Sequence, residues 1–216
     1  MKKSNVLGKV LLLGSALLFA TVTQQARAGS STGTNGGYYW GIYTEGTGKG
    51  TITFPSTKGI KCVWTSNIAD CGFGKGWKPG SVKTVKFKID SASSVVHSIG
   101  LYGWTTSPLI EYYIDVKGSP SGTAIGTVTS DGFTYNSFQF QRVSKPSIQG
   151  TCTFWQYKDG RKSTQASAGQ TCTVTMSNHI NHWKSAGGHG WGSTVYDLLA
   201  EIESFSGPGT AQITIQ

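Results

Sequence analysis

Charge is scarce in this 216-residue chain, where Asp, Glu, Lys and Arg together make up 13% and the acids number only ten. The lysines are scattered, and no basic stripe or nucleic-acid-binding signature appears, so nucleic acid is excluded as a partner. No segment reaches 18 consecutive apolar residues, which leaves no membrane-spanning helix. The four cysteines include no Cys-x-x-Cys pair, and this spacing argues against a zinc site. Neither an internal repeat nor a linker divides the sequence, so a single domain is expected. No metal or cofactor is implied.

The N-terminus reads as an export signal over residues 1–28. Lys2 and Lys3 open it, an apolar run from Val10 to Val22 follows, and Ala26-Arg27-Ala28 supplies a small-x-small cleavage pattern. No cysteine at that point could carry a lipid. The expected product is a secreted monomer, extracellular or periplasmic, spanning residues 29–216. Removing the leader takes away four basic residues and no acid, lowering the formal charge from +9 to +5. In an oxidising compartment four cysteines suggest two disulfides. Cys62–Cys71 and Cys152–Cys172 are the favoured pairs because each brackets a plausible hairpin.

Gly, Ser and Thr are abundant and aromatics reach 12%. This is the composition of a β-rich domain in which short strands alternate with polar turns. Strands are predicted at 38–44, 50–54, 60–65, 82–89, 95–103, 110–116, 124–128, 137–143, 150–157, 171–175, 195–203 and 210–215. Alternation is clearest at Val85-Lys86-Phe87-Lys88-Ile89. One helix is predicted, capped by Ser177, carrying Ile180 and Trp183, and ended by Gly187-Gly188. Turns are predicted at Ser130-Asp131-Gly132, Lys158-Asp159-Gly160 and Ser206-Gly207-Pro208-Gly209. The expected fold class is all-β, a two-sheet antiparallel sandwich with a single α-helix.

Two segments stand out chemically. Pro108-Leu109-Ile110-Glu111-Tyr112-Tyr113-Ile114 and Glu203-Ser204-Phe205-Ser206-Gly207-Pro208-Gly209 each set a glutamate on or beside a strand with aromatic neighbours. In a chain with so few acids, one inside Leu-Ile-Glu-Tyr-Tyr-Ile needs a reason, since burying an unpaired charge is costly. Two facing carboxylates flanking a sugar bond are the machinery of glycoside hydrolysis. His179 and His182 lie three apart on the predicted helix, but with no third ligand they read as structural.

Further collinear segments are Gly33-Thr34-Asn35-Gly36-Gly37-Tyr38-Tyr39, Gly74-Lys75-Gly76-Trp77-Lys78-Pro79-Gly80, Leu101-Tyr102-Gly103-Trp104-Thr105, Gln141-Arg142-Val143 and Pro146-Ser147-Ile148-Gln149-Gly150-Thr151. Phe154, Gln156-Tyr157, Asn178-His179 and Trp183 continue the order. Over Gly33 to Gln216 the sequence resembles glycoside hydrolase family 11, the small β-jelly-roll xylanases. The resemblance implies a half-closed hand around a xylan chain and a retaining endo-1,4-β-xylanase, with Glu111 as nucleophile and Glu203 as acid/base. It further implies cleft roles for Tyr102 and Tyr113, positions near the nucleophile for Arg142 and Gln156, and a mobile thumb tipped by Pro146.

The sequence departs from the family in several places. Tyr43 stands where a stacking tryptophan is usual. The residue that tunes the acid/base should lie at Ser66 or Asn67, with Asn67 preferred, although one extra residue lies between Trp64 and Trp77. Glu-Gly-Tyr becomes Glu203-Ser204-Phe205, Tyr196 is shifted by one, and Glu201 brings an unusual second acid beside Glu203, a rival for its role. These departures motivate an alternative, a catalytically impaired carbohydrate-binding protein on the same scaffold.

Overall fold

The computed structural model describes residues 24–26 and 29–216. The predicted export signal lies almost wholly outside the described residues. In chain order the elements are β1 (Gln24–Ala26), β2 (Gly29–Asn35), β3 (Tyr38–Gly46), β4 (Gly50–Thr53), β5 (Gly59–Trp64), β6 (Ile68–Trp77), β7 (Thr84–Ala92) and β8 (Ser98–Thr106). Then come β9 (Ile110–Lys117), β10 (Thr123–Ser130), β11 (Phe133–Lys145), β12 (Cys152–Arg161), β13 (Thr171–Thr175), α1 (Met176–Ala186), β14 (Thr194–Ser204) and β15 (Gly209–Ile215).

These strands form a β-jelly roll of two sheets. One runs β1-β4-β5-β15-β7-β13, the other β10-β11-β12-β9-β8-β14-β6-β3-β2. Every strand pairing is antiparallel except β12 with β9. Alternation explains how the sheets stack. On β7, Val85, Phe87 and Ile89 are buried, while Lys86 is exposed and Lys88 partly so. On β14, Leu198, Ala200 and Ile202 enter the core opposite the apolar face of the smaller sheet. The intervening residues Asp197, Leu199, Glu201 and Glu203 therefore take the other face, since strand side chains alternate.

β6 escaped the sequence reading because Gly72, Gly74 and Gly76 suggest a loop. The glycines fall on one face of a long central strand. A Cβ on Gly76 would come within 2.0 Å of the Leu198 carbonyl oxygen, and one on Gly74 within 2.8 Å of Leu199. The glycines leave part of the larger sheet's outer face without side chains. Lys158-Asp159-Gly160 is likewise strand rather than turn. Asp159 is fully buried because it anchors the helix: it accepts from Trp183 Nε1 at 2.9 Å and shares a 2.6 Å hydrogen bond with His179 Nδ1. The helix begins earlier than predicted. Its N-cap is Thr175 rather than Ser177, and the Thr175 hydroxyl is engaged with Asp131 at 2.7 Å.

The structure corrects the disulfide expectation, since all four cysteines are free thiols. β5 and β6 lie in different sheets, so Cys62 and Cys71 do not bracket a hairpin. Cys71 Sγ instead lies 3.4 Å from the Ser204 carbonyl. Cys152 opens β12 against Ser147, while Cys172 neighbours Arg161 at the opposite end of that strand. A strand rises about 3.3 Å per residue, so these thiols are roughly 30 Å apart, whereas a bridge needs Cα atoms within about 7 Å.

Two outcomes follow. Peptide mapping without reduction should recover Cys152 and Cys172 on separate, unlinked peptides. Asp159→Ala should lower unfolding free energy by about 3 kcal/mol in urea titration, because it strands two buried donors at the helix–sheet junction.

Candidate active site

The outer face of the nine-stranded sheet holds the acids. β9 is its most enclosed strand, buried from Ile110 through Val116. Ile110, Tyr112, Ile114 and Val116 belong to the core, which turns Glu111, Tyr113 and Asp115 to the cleft. Tyr102 pairs with Tyr113 and Trp104 with Glu111, so the neighbouring strand brings its own aromatics alongside.

Glu111 is bound on both oxygens. The hydroxyls of Tyr102 and Tyr113 each donate to Oε1 at 3.0 Å, and Gln156 Nε2 donates to Oε2. Trp104 Nε1 in turn donates to the Tyr102 hydroxyl at 2.6 Å. That orienting indole was not singled out in the sequence, although its two-residue spacing from Tyr102 was the available signal. A buried carboxylate with donors on both oxygens is fixed in orientation and kept from water. Burial pushes the Tyr102 and Tyr113 hydroxyls well up, with the Glu111 charge adding to it, so both stay donors.

Glu203 reaches the same face from β14, opposite Ser98 on β8 and Gly72 on β6. Ser98 Oγ donates to Glu203 Oε2 at 3.2 Å. Burial raises Glu203 to about 7; Asp70 and Glu111 add to this, while Lys158 and the Ser98 hydrogen bond oppose it. The Glu111 charge is thus felt at Glu203, so the two acids share one electrostatic site.

Glu201 also faces the cleft, in register with Gly100, which on its other side meets Asp115. Burial and the charges of Glu203 and Asp115 push its carboxyl well above the usual range. Ser204, in the altered Glu-Ser-Phe segment, is buried and donates to the carbonyls of Val95 and Ser206, which fixes the turn after Glu203. Phe205 packs on His97 with ring centroids 4.6 Å apart.

Asn67 is not part of this group. It is exposed in the β5–β6 turn with φ 65°, and its carbonyl accepts from Thr47 and Gly48. The register slips at Glu45/Gly46, leaving Ala69 as the extra residue of a bulge, and the side chain that faces the acids is Asp70. Burial, then Glu45, raises Asp70 to about 6. A bulge between Val195 and Asp197 likewise absorbs the one-residue shift at Tyr196, whose hydroxyl pairs with Lys78 at 2.7 Å.

Tyr43 lies beside Gly72 and donates to Glu45. Arg142, on β11, makes no hydrogen bond to Glu111; its charge acts instead on Asp70 and Tyr43. Pro146 is exposed where β11 turns into β12, in a loop closed by Ser147–Gly150 backbone bonds of 3.0 and 3.2 Å. Tyr102, Tyr113, Gln156, Glu111 and Glu203 are therefore brought together, and Tyr43 and Arg142 flank them. Asp70, Asp115 and Lys158 join the site without having been predicted. Only Asp115 carried a sequence signal, its strand parity with Glu111 and Tyr113. Among the described residues, no helix is long and apolar enough to cross a membrane, and no cluster of three or more His, Cys, Asp or Glu is placed to hold a metal.

A jelly roll whose outer sheet face sets an anchored carboxylate near a second, proton-retaining one defines a glycoside hydrolase. The family model for glycosyl hydrolases family 11 matches residues 35–214, and the chain belongs to that family. It is 42% identical to ethylene-inducing xylanase 1 of Botryotinia fuckeliana (strain B05.10), covering 86% of this chain and 66% of that one. It is 38% identical to endo-1,4-beta-xylanase 11A of the same strain, over 89% of this chain and 85% of the relative. A solved endo-1,4-beta-xylanase structure from Trichodrema reesei superposes with a TM-score of 0.67 at 32% identity, covering 91% of this chain and 97% of that chain.

The crowded acids carry a stability consequence. Asp70 and Asp197 are raised to about 6 and Glu203 to about 7, in each case mainly by burial. Folded-state values above the unfolded ones mean the native state binds more protons, so this contribution is full below the unfolded values and is lost as pH rises through 6 to 7. The urea midpoint should therefore fall between pH 4 and pH 7. Asp197→Asn, which keeps an acceptor for the Trp104 N–H, should flatten that slope.

Proposed function

We propose that this protein is a secreted endo-1,4-β-xylanase that cleaves internal bonds of xylan with retention of anomeric configuration. The observation that carries the reading is the anchoring of Glu111 by Tyr102, Tyr113 and Gln156, beside a Glu203 whose proton is held to about pH 7. Glu111, ionised and aimed by its donors, attacks the anomeric carbon. Glu203 delivers its proton to the departing glycosidic oxygen. Once the covalent glycosyl-enzyme has formed, the Glu203 carboxylate takes a proton from a water whose oxygen attacks the anomeric carbon; the bond to Glu111 breaks, the sugar leaves and both groups are restored.

The assignment to Glu203 rather than Glu201 rests on position. Glu203 accepts from Ser98 and lines the pocket beside Tyr113 and Lys158, whereas Glu201 is not among that pocket's walls. Tyr43 is suited to stack a sugar ring, Arg142 supplies a cation at the cleft wall, and Pro146 tips the hairpin beside it. The names of the relatives support xylan as substrate, and the export signal read over residues 1–28 supports secretion, with the chain acting as a monomer. A binding-only role finds no support, because the altered Glu203-Ser204-Phe205 segment leaves Glu203 on the cleft face.

Glu111→Gln should abolish reducing-sugar release from xylan while preserving the melting transition, since the amide cannot attack. Glu203→Ala should reduce kcat on xylan by at least about 100-fold, the scale of general acid catalysis. It should have much less effect on an aryl xyloside with a good leaving group, which needs little protonation. Equal losses on both substrates would contradict the acid role. For the wild type, kcat/KM should decline as pH rises through about 7, where Glu203 loses its proton.

A further inference from the structure

Asp70, Glu111, Asp115, Glu201 and Glu203 face one cleft. Among the described residues, the two cations whose charge reaches them are Arg142 and Lys158. Arg142 serves the Asp70 and Tyr43 end. Lys158 has a different setting. It lies on β12 in register with Tyr113, and its Nζ sits 4.3 Å from the centre of the Tyr113 ring. Among the described residues no hydrogen bond or ion pair holds that ammonium. It opens on a pocket of about 290 Å³ whose walls include His97, Asp115, Glu203 and Phe205. An ammonium stacked on one aromatic face and free of any carboxylate keeps its field for the groups across the pocket.

We infer that Lys158 is a positioning residue for both catalytic acids. Through the Tyr113 ring it braces the hydroxyl that holds Glu111, and across the pocket it supplies the positive charge that faces Glu203. The inference rests on the roles given above to Glu111 and Glu203.

The charge balance around Glu203 explains why one lysine matters. Glu201 faces Glu203 from its own strand, Asp70 from β6, and Glu111, Tyr113 and Asp115 from β9. His97 approaches from the segment before β8, Glu45 and Tyr43 lie beyond Asp70 on β3, and the Cys71 thiol lies on the core side of β6. Most of these are acidic, and the charges of Asp70 and Glu111 favour keeping the Glu203 proton. Lys158 is the opposing charge, and it also draws down Asp115 and Asp70. Without it, Glu203 would hold its proton to higher pH and would be slower to become the base that activates water. The lysine thus keeps a general acid in a crowded acidic cleft able to cycle near neutrality.

The test is the pH profile of kcat/KM on soluble xylan for wild type, Lys158→Met, Lys158→Gln and Lys158→Arg, each checked for an intact melting transition. In the Met and Gln variants the alkaline limb should move upward by roughly 0.5–1 pH unit, as expected for losing one nearby opposite charge. Arginine should bring the limb back toward its wild-type place. A uniform loss of rate with the limb unmoved, or an arginine variant displaced as far as the methionine one, would overturn the proposal. Glu203→Ala on an aryl xyloside separates this from the parent reading. If that variant keeps the alkaline limb, Glu203 does not own it, and both readings fall. If it loses the limb while Lys158→Met leaves it in place, only the role of Lys158 fails.

Discussion

Strand register is the constraint on which this molecule depends. β9 and β14 each send alternate side chains into the apolar interior and into the cleft, so Ile110, Tyr112 and Ile114 oppose Glu111, Tyr113 and Asp115, and Leu198, Ala200 and Ile202 oppose Asp197, Glu201 and Glu203. A slip of one residue in either strand would drive carboxylates into the core and isoleucines into the cleft. The hydrophobic effect therefore enforces the geometry of the chemistry. The side chains that bury themselves on one face fix which acids appear on the other. The bulges at Val195–Asp197 and at Ala69 matter for the same reason, since each absorbs one extra residue and restores the parity that follows.

The cleft assembled in this way is electrostatically strained. Acids crowd together on a partly dry floor, and burial raises Asp70, Asp197 and Glu203 while making the folded state more demanding of protons. The same burial that weakens the fold as pH rises also holds the proton on Glu203 to about pH 7. Bare glycines on β6 and Gly100 on β8 give these groups room. The donors around Glu111 instead fix the orientation of its carboxylate, so the two glutamates sit in different surroundings within one cleft.

Much of this was legible in the chain. Strict alternation in Val85 to Ile89 identified β7, and the aromatic setting of Glu111 marked it as an acid with a purpose. Collinear segments from Gly33 onward pointed to the family. Where the reading missed, the physical reason is identifiable. β6 was hidden because a glycine at every second position resembles a turn, and only the close approach of Leu198 and Leu199 reveals why no larger residue fits. Asp159-Gly160 resembles a turn for the same local reason, but the carboxylate is claimed by His179 and Trp183 from a helix 20 and 24 positions onward. Spacing points to Ser66 or Asn67 and misses Asp70, because a bulge cannot be counted from spacing alone. The Cys152–Cys172 pair failed because the two thiols fall at opposite ends of β12.

By itself the sequence determined the class of fold, the two glutamates and the face each takes, because alternation is a local property that a strand cannot evade. Tertiary structure alone decided which donors hold Glu111, that Asp70 and Lys158 belong to the same cleft, and that Cys152 and Cys172 stay apart. Those relations join strands far apart in the chain, and they arise only when the sheet twists its neighbours into contact. Burial and charge act through space, so a carboxyl's proton affinity is written in the company it keeps rather than in its own segment.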